Sequence, residues 1–120
     1  MENWTLVWTK LTEFNETNIK SIPEEPGVYR FSYKKDDKYY VFYVGQSDNI
    51  RKKFLEHMSP IESNEEIKSY IAEKKCYFKY AKVTEEDIRK AVERQLYKHF
   101  DPKGNKIMPD GRDDVTVNIN

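Results

Sequence analysis

Cysteine is all but missing from this sequence. Cys76 stands alone, so neither an internal disulfide nor a cysteine-based zinc cage can form, which suits a reducing compartment. The expectation for that single thiol is burial and chemical inertness. Long apolar runs are missing too: no stretch approaches the ~20 apolar residues of a membrane span. Met1-Glu2-Asn3-Trp4 also lacks the basic segment and apolar run of a secretory leader, so a soluble cytoplasmic protein is expected. Net charge is zero, because 21 Lys and Arg side chains balance 21 Asp and Glu. That excludes a general electrostatic attraction to nucleic acid and leaves only a local patch to supply one. Internal repeats, low-complexity tracts and long Gly/Ser linkers are absent as well, which argues against an array or a tethered pair of domains.

What the chain does have is aromatic side chains. Tyr, Phe and Trp make up 14% of it, so large rings can supply much of the buried area, and a disordered chain is excluded. Its 120 residues suit one domain with one core. The expected division is a lead-in over 1–25, a domain over 26–105 and a tail over 106–120 that is loose at its end.

Hydrophobic periodicity orders the elements. Trp4, Leu6 and Trp8 alternate as in a strand, although Trp8, Leu11, Phe14 and Ile19 suit an irregular or helical lead-in equally well. Val28 to Tyr33 and Lys38 to Gln46 are rich in β-branched and aromatic residues and bracket a polar turn, which reads as a hairpin. A turn centred on Asp36 sets Tyr29 opposite Tyr43, Phe31 opposite Val41 and Tyr33 opposite Tyr39, unless a one-residue bulge intervenes. Helices follow over 49–58 and over 64–74, the second opened by a Ser63–Glu66 capping box. Cys76 to Val83 reads as a third strand. Thr84 with Asp87 then caps a helix carrying Ile88, Val92, Leu96 and Phe100, which ends near Pro102. The order ββααβα implies an α/β (α+β) fold, a small central antiparallel-containing three-stranded sheet flanked by helices.

Two triplets sit on the paired strands: Gly27-Val28-Tyr29 and Tyr43-Val44-Gly45. Ser47-Asp48-Asn49-Ile50 leads from the second into a helix carrying Lys53 and His57, and Glu93 and Asn105 follow downstream. Together these residues resemble the GIY-YIG nuclease family over 26–105. The opening Ile22-Pro23-Glu24-Glu25-Pro26 is similar to the start of the nuclease domain in excision-repair incision subunits. The resemblance implies hydrolysis of a DNA phosphodiester with one magnesium (or manganese) ion. In that implied site, built on Tyr29 and Tyr43, a tyrosine aids proton removal from water, Glu93 holds the metal, and the residue at position 53 steadies phosphate charge beside His57. The sequence departs from the family's pattern in having Lys53 where arginine is usual, valine in both triplets, and a slightly long connection between them.

Elementary chemistry bears on each assignment. A hard cation neutralises charge developing on phosphate, and a single carboxylate such as Glu93 suits magnesium, which keeps several waters. Tyrosine, with a pKa near ~10, is a poor base at neutral pH and needs help from neighbours such as Lys53 and His57. Positions 53 and 57 share a helix face, while Arg51 lies about 200° from Lys53. Lysine keeps the charge but lacks the planar fork that grips two phosphate oxygens. Arg51, Lys52 and Lys53 form the candidate phosphate patch, with Asn105 either joining it or holding the loop after Pro102. His57 reads equally as a packed histidine; Glu93, whose bland alternative is an ordinary helix-surface acid, reads as a site residue because it stands in the motif's expected context.

Three functions remain open on these residues: a metal-dependent DNA endonuclease or nickase, a catalytically weakened module that binds DNA or a protein partner, and a scaffold whose tyrosines are core. Tyr29, Tyr43, Lys53, His57 and Glu93 around one open cleft favour the first two; buried rings and a solvent-directed Glu93 favour the third.

Overall fold

The computed structural model describes residues 1–119 apart from Pro60, Ile61 and Ser63. Along the chain run β1 (Glu2–Trp4), β2 (Thr12–Glu13), α1 (Glu16–Lys20), β3 (Gly27–Lys35), β4 (Lys38–Ser47), α2 (Ile50–Met58), α3 (Glu65–Glu73), β5 (Cys76–Lys82), α4 (Glu86–Phe100) and β6 (Val115–Val117). The expected order ββααβα is the stretch from β3 to α4. The main sheet has four strands in the order β2-β5-β3-β4, all antiparallel. The fourth strand is β2, whose two residues are too few to carry a period.

The β3–β4 hairpin differs from its expected register, and the difference builds the site. Asp36 and Asp37 both take left-handed conformations, with φ of 52° and 64°, and form a two-residue turn of the kind that matches strand twist. That turn pairs Lys35 with Lys38 and Tyr33 with Tyr40. Carried on unbroken, the register would place Val44 opposite Tyr29 and send Tyr43 to the other face. The register shifts instead between Phe31 and Ser32, where Phe42 is the extra residue. Tyr29 therefore faces Gly45 and Phe31 faces Tyr43, correcting the expected direct pairing of the two tyrosines. The bulge reverses the parity, so Tyr29 and Tyr43 stand diagonally on one face.

That face carries Tyr29, Phe31, Phe42 and Phe78, covered by Ile50 and Phe54 of α2 and by Ile19 of α1. Phe54 meets Tyr29, Phe31 and Phe78 edge-on, each at 5.0 Å between ring centres. Each such fully buried side chain contributes about 1.5–3 kcal/mol of apolar burial. The opposite face packs Val28, Val44 and Ala81 against Ile88, Val92 and Leu96 of α4. Cys76 is buried and burial raises its thiol pKa to about 11, so it is inert.

Caps explain where the helices start. The Asn49 side chain accepts from Lys52 N at 3.1 Å to open α2, as asparagine does well. For α3 the Asn64 side chain accepts from Glu66 N at 3.0 Å and Ile67 N at 3.2 Å; the expected Ser63 cap lies outside the described residues. The expected Thr84 cap is corrected: Glu85 precedes α4 and makes no side-chain cap bond. The Thr84 carbonyl is used differently, accepting from the Arg89 guanidinium at 2.8 Å.

The C-terminal tail is not loose at its described end. β6 pairs in parallel with β1, and Val115 is buried. Arg30 donates to the Ile119 carbonyl and stacks over Trp8 and Phe100, 4.8 and 5.2 Å from their ring centres. The strand suggested over 4–8 is instead 2–4, because its partner comes from the far end of the chain. Among the described residues no helix is long and apolar enough to cross a membrane.

Candidate active site

The glycines of the two triplets are steric requirements of the tyrosine face. A Cβ on Gly45 would lie 2.5 Å from the Tyr29 hydroxyl oxygen, so the strand opposite Tyr29 must be bare for its ring to lie flat. A Cβ on Gly27 would meet the Ala81 carbonyl and the tip of Ile50, each at 2.4 Å. That packing seats the start of α2 against β3 and so aims the helix along the sheet.

Tyr29 is fully buried, and its hydroxyl lies 3.0 Å from Nε2 of His57. The other ring nitrogen, Nδ1, lies 2.6 Å from Oε2 of Glu62. Burial is the largest influence on His57 and lowers its pKa, against Glu62, which raises it. His57 is therefore neutral near pH 7, and a neutral ring has one donor and one acceptor nitrogen. The Glu62 carboxylate accepts from Nδ1–H, which leaves Nε2 to accept from Tyr29. Burial and the charge of Glu93 and Glu62 push the Tyr43 hydroxyl up to about 12. Burial, Tyr43 and Glu93 push Tyr29 well above its ordinary value. The Tyr43 ring stands beside both, 6.3 Å from the Tyr29 ring centre and 5.2 Å from that of His57, and the hydrogen-bonded chain runs Tyr29, His57, Glu62. Neither tyrosine ionises unaided near neutral pH, and the basic end of the chain is His57.

Tyr43 also opens onto a cleft of about 430 Å³ that it lines with Asn64, Glu93, Asn105 and Asp110. Glu93 is half-buried, and desolvation followed by repulsion from Asp110 raises its pKa to about 7, against a backbone bond from Gln46. It is thus directed into the cleft and not out to solvent. Among the described residues no cluster of three or more His, Cys, Asp or Glu gathers to hold a metal. A cation here would have the Glu93 carboxylate, the Tyr43 hydroxyl and water, a hard-oxygen set that fits magnesium. The raised pKa points the same way, since a carboxylate deprived of solvation gains most from a cation.

The basic candidates part company. Lys53 lines a second cleft of about 320 Å³ with Gln46, Ser47, Asp48, Glu86 and Arg89, and its Nζ lies 3.8 Å from Glu56. Arg51 points elsewhere: its Nε donates to the Ile22 carbonyl at 2.5 Å and Nη1 lies 4.0 Å from Glu24. It therefore turns away from Lys53, as the helical angle between positions 51 and 53 requires. Lys52 is exposed. Asn105 is anchored at the cleft's edge: Oδ1 accepts from Val44 N and Nδ2 donates to Val44 O, each at 2.9 Å. It holds the loop by standing in for a strand partner at the edge of β4.

Sequence reasoning missed Glu62, Asp110, Gln46 and Arg89. Glu62 and Asp110 lie between elements, where no period marks them, whereas Arg89 and Glu93 are four apart on α4 and share a face.

No protein-family model matches the sequence. The chain is 27% identical over 97 residues to UvrABC system protein C of Christiangramia forsetii, covering 81% of the chain and 16% of that protein. It is 29% identical over 101 residues to the corresponding protein of Flavobacterium psychrophilum, covering 84% and 16%. The chain thus spans about a sixth of the length of these curated relatives. Among solved structures it is similar to the GIY-YIG N-terminal endonuclease domain of UvrC from Thermotoga maritima bound to its catalytic magnesium, with a TM-score of 0.59 and 25% identity. The match covers 74% of this chain and 92% of that one. A point mutant of the same domain, bound to its catalytic divalent cation, matches with a TM-score of 0.60 at 24% identity, covering 76% and 93%.

Proposed function

We propose that this chain, which has the fold of the GIY-YIG endonuclease domain, is a divalent-metal-dependent DNA endonuclease or nickase. One observation carries the reading: Tyr43, at the Glu93 cleft, packs against Tyr29 and His57, and His57 is a neutral base that accepts from Tyr29 and whose tautomer Glu62 holds. A hydrolase acting on phosphate needs that combination of an oxygen-ligand cation site and a path for the water's proton.

Glu93 is the residue that would hold a magnesium or manganese ion, which when bound polarises the phosphate and lowers the pKa of its water. The Tyr43 hydroxyl faces the attacking water. As it takes the water's proton, its own proton passes to Tyr29 and that of Tyr29 to His57 Nε2, so no isolated tyrosinate is required. Glu62 offsets the positive charge that then develops on His57. Lys53 attracts the DNA backbone and Asn105 holds the cleft's edge. Residues 1–25 and 106–120 act as part of the same unit as 26–105. DNA is the partner and the cytoplasm the compartment on this reading.

A second reading, a catalytically weakened module that binds DNA or a protein partner, is favoured by one residue. Lys53 is a point charge where two parallel donors would stabilise the transition state better. Cleavage of plasmid, branched and single-stranded DNA with magnesium or manganese, with Glu93→Ala as control, separates the two. Glu93-dependent nicking supports the enzyme, and retained DNA binding without cleavage supports the module.

A further inference from the structure

The cleft that holds Lys53 has a second cation on its opposite wall. Lys53 projects from α2 and Arg89 from α4, with Gln46, Ser47 and Asp48 at the end of β4 between them. Arg89 is only 6% exposed, yet part of its guanidinium is unengaged. Nε donates to Gln46 Oε1 at 3.1 Å, and Nη1 donates to Thr84 O at 2.8 Å and reaches Val83 O at 3.4 Å. Nη2 donates to no described residue. Among the described residues no side-chain nitrogen or oxygen is both buried and unpartnered, so Nη2 reaches solvent, and the solvent beside Arg89 is this cleft.

Three bonds hold the fork rigid, which lowers the entropy lost when its free nitrogen gains a partner. The acids of the cleft do not occupy it: Glu86 is paired with Lys90 at 3.2 Å, and Asp48 is exposed. Gln46 ties this cleft to the metal candidate, since its backbone N–H is near enough to Glu93 to pull that carboxyl's pKa down while its side chain accepts from Arg89. Arg89 and Glu93 are one helical turn apart, about 6 Å along the axis.

From this geometry we propose that Arg89 and Lys53 form a two-walled site for one phosphate of the DNA backbone, with Arg89 Nη2 donating to a non-bridging oxygen. The proposal rests on the DNA-cleaving reading and adds to it a residue that nothing in the sequence motifs marks.

The test is the salt dependence of DNA binding by the full chain, measured with a labelled oligonucleotide in calcium to suppress cleavage. Removing one cation from a bound phosphate lowers the slope of log affinity against log salt by about 0.9 on duplex DNA. Arg89→Gln and Lys53→Gln are each expected to lower it by up to that amount, and Arg89→Lys to leave it near the wild-type value. A merely structural role for Arg89 predicts weaker folding with an unchanged slope, and that result overturns the proposal. Should Arg89→Gln not fold, the side-chain Nε–H resonance of Arg89 in the unaltered protein decides. A shift on adding the oligonucleotide supports the site, and no shift removes it. Slope changes without magnesium-dependent cleavage leave the phosphate site standing and defeat the nuclease reading. Cleavage with an Arg89-independent slope does the reverse, and no DNA binding at low salt defeats both.

Discussion

The Tyr29 hydroxyl and His57 Nε2 lie 3.0 Å apart and Glu62 holds the far ring nitrogen; on the proposed mechanism the histidine, not a tyrosine, is the final proton acceptor. Cleavage should therefore need neutral His57. Burial holds its pKa below the ordinary 6.5, so the rate should climb as pH rises through that depressed value and level off above it. His57→Ala should lower kcat about a hundredfold. Glu62→Gln removes the partner that raises the His57 pKa, so the acid limb should move to lower pH, with a loss of about tenfold. A pH–rate profile whose acid limb is the same in wild type and Glu62→Gln would exclude His57 as the base.

Glu93 should govern both metal binding and pH-dependent stability. Its folded pKa of about 7 lies above the ordinary 4.5, so the folded state holds the proton more tightly. Stability should fall as pH rises from about 4.5 to 7, by at most about 3 kcal/mol and less because the group is partly hydrated. Glu93→Gln should thus be more stable than wild type at pH 8, and inactive. Magnesium should raise the wild-type Tm more at pH 8 than at pH 6, where protons compete, and leave Glu93→Gln unmoved. Calorimetry with equal magnesium affinity in both proteins would take Glu93 out of the site.

Lys53→Arg should raise the cleavage rate by about tenfold while DNA affinity changes little, because a second parallel donor helps the transition state and the nonspecific attraction counts only charge. Lys53→Ala should lower both. Equal rates for all three proteins would show that position 53 does not touch the reacting phosphate.

Gly45→Ala should destabilise the fold by about 1–3 kcal/mol, the usual result of overpacking, since its Cβ would sit 2.5 Å from the Tyr29 hydroxyl oxygen. The cost should largely vanish in a Tyr29→Ala background, as coupled neighbours require. Denaturant unfolding of the four proteins in that cycle checks it, and additive effects would mean that Gly45 is needed for some other reason.

The strands, the helices of the central stretch and the triplets that carry the tyrosines were legible because each depends on local pattern. Alternation marks β3, β4 and β5, the stripe of Ile88, Val92 and Leu96 marks α4, and Gly27 and Gly45 announce close approach. Local pattern does not settle which strand face a residue occupies beyond an irregularity. Phe42 and Tyr43 are both aromatic strand formers, so either could have been the bulged residue, and only packing of Phe42 on Tyr70, at 4.4 Å between ring centres, puts both tyrosines on one face. The same limit hid Glu62 and Arg89. Their chemistry comes from what lies across from them, His57 in one case and the Lys53 cleft in the other, and contact between segments distant in sequence leaves no periodic trace. It hid the end of the chain as well: Val115 to Val117 form a strand only because Glu2 to Trp4 offer an edge to pair with, and backbone groups buried there must find partners.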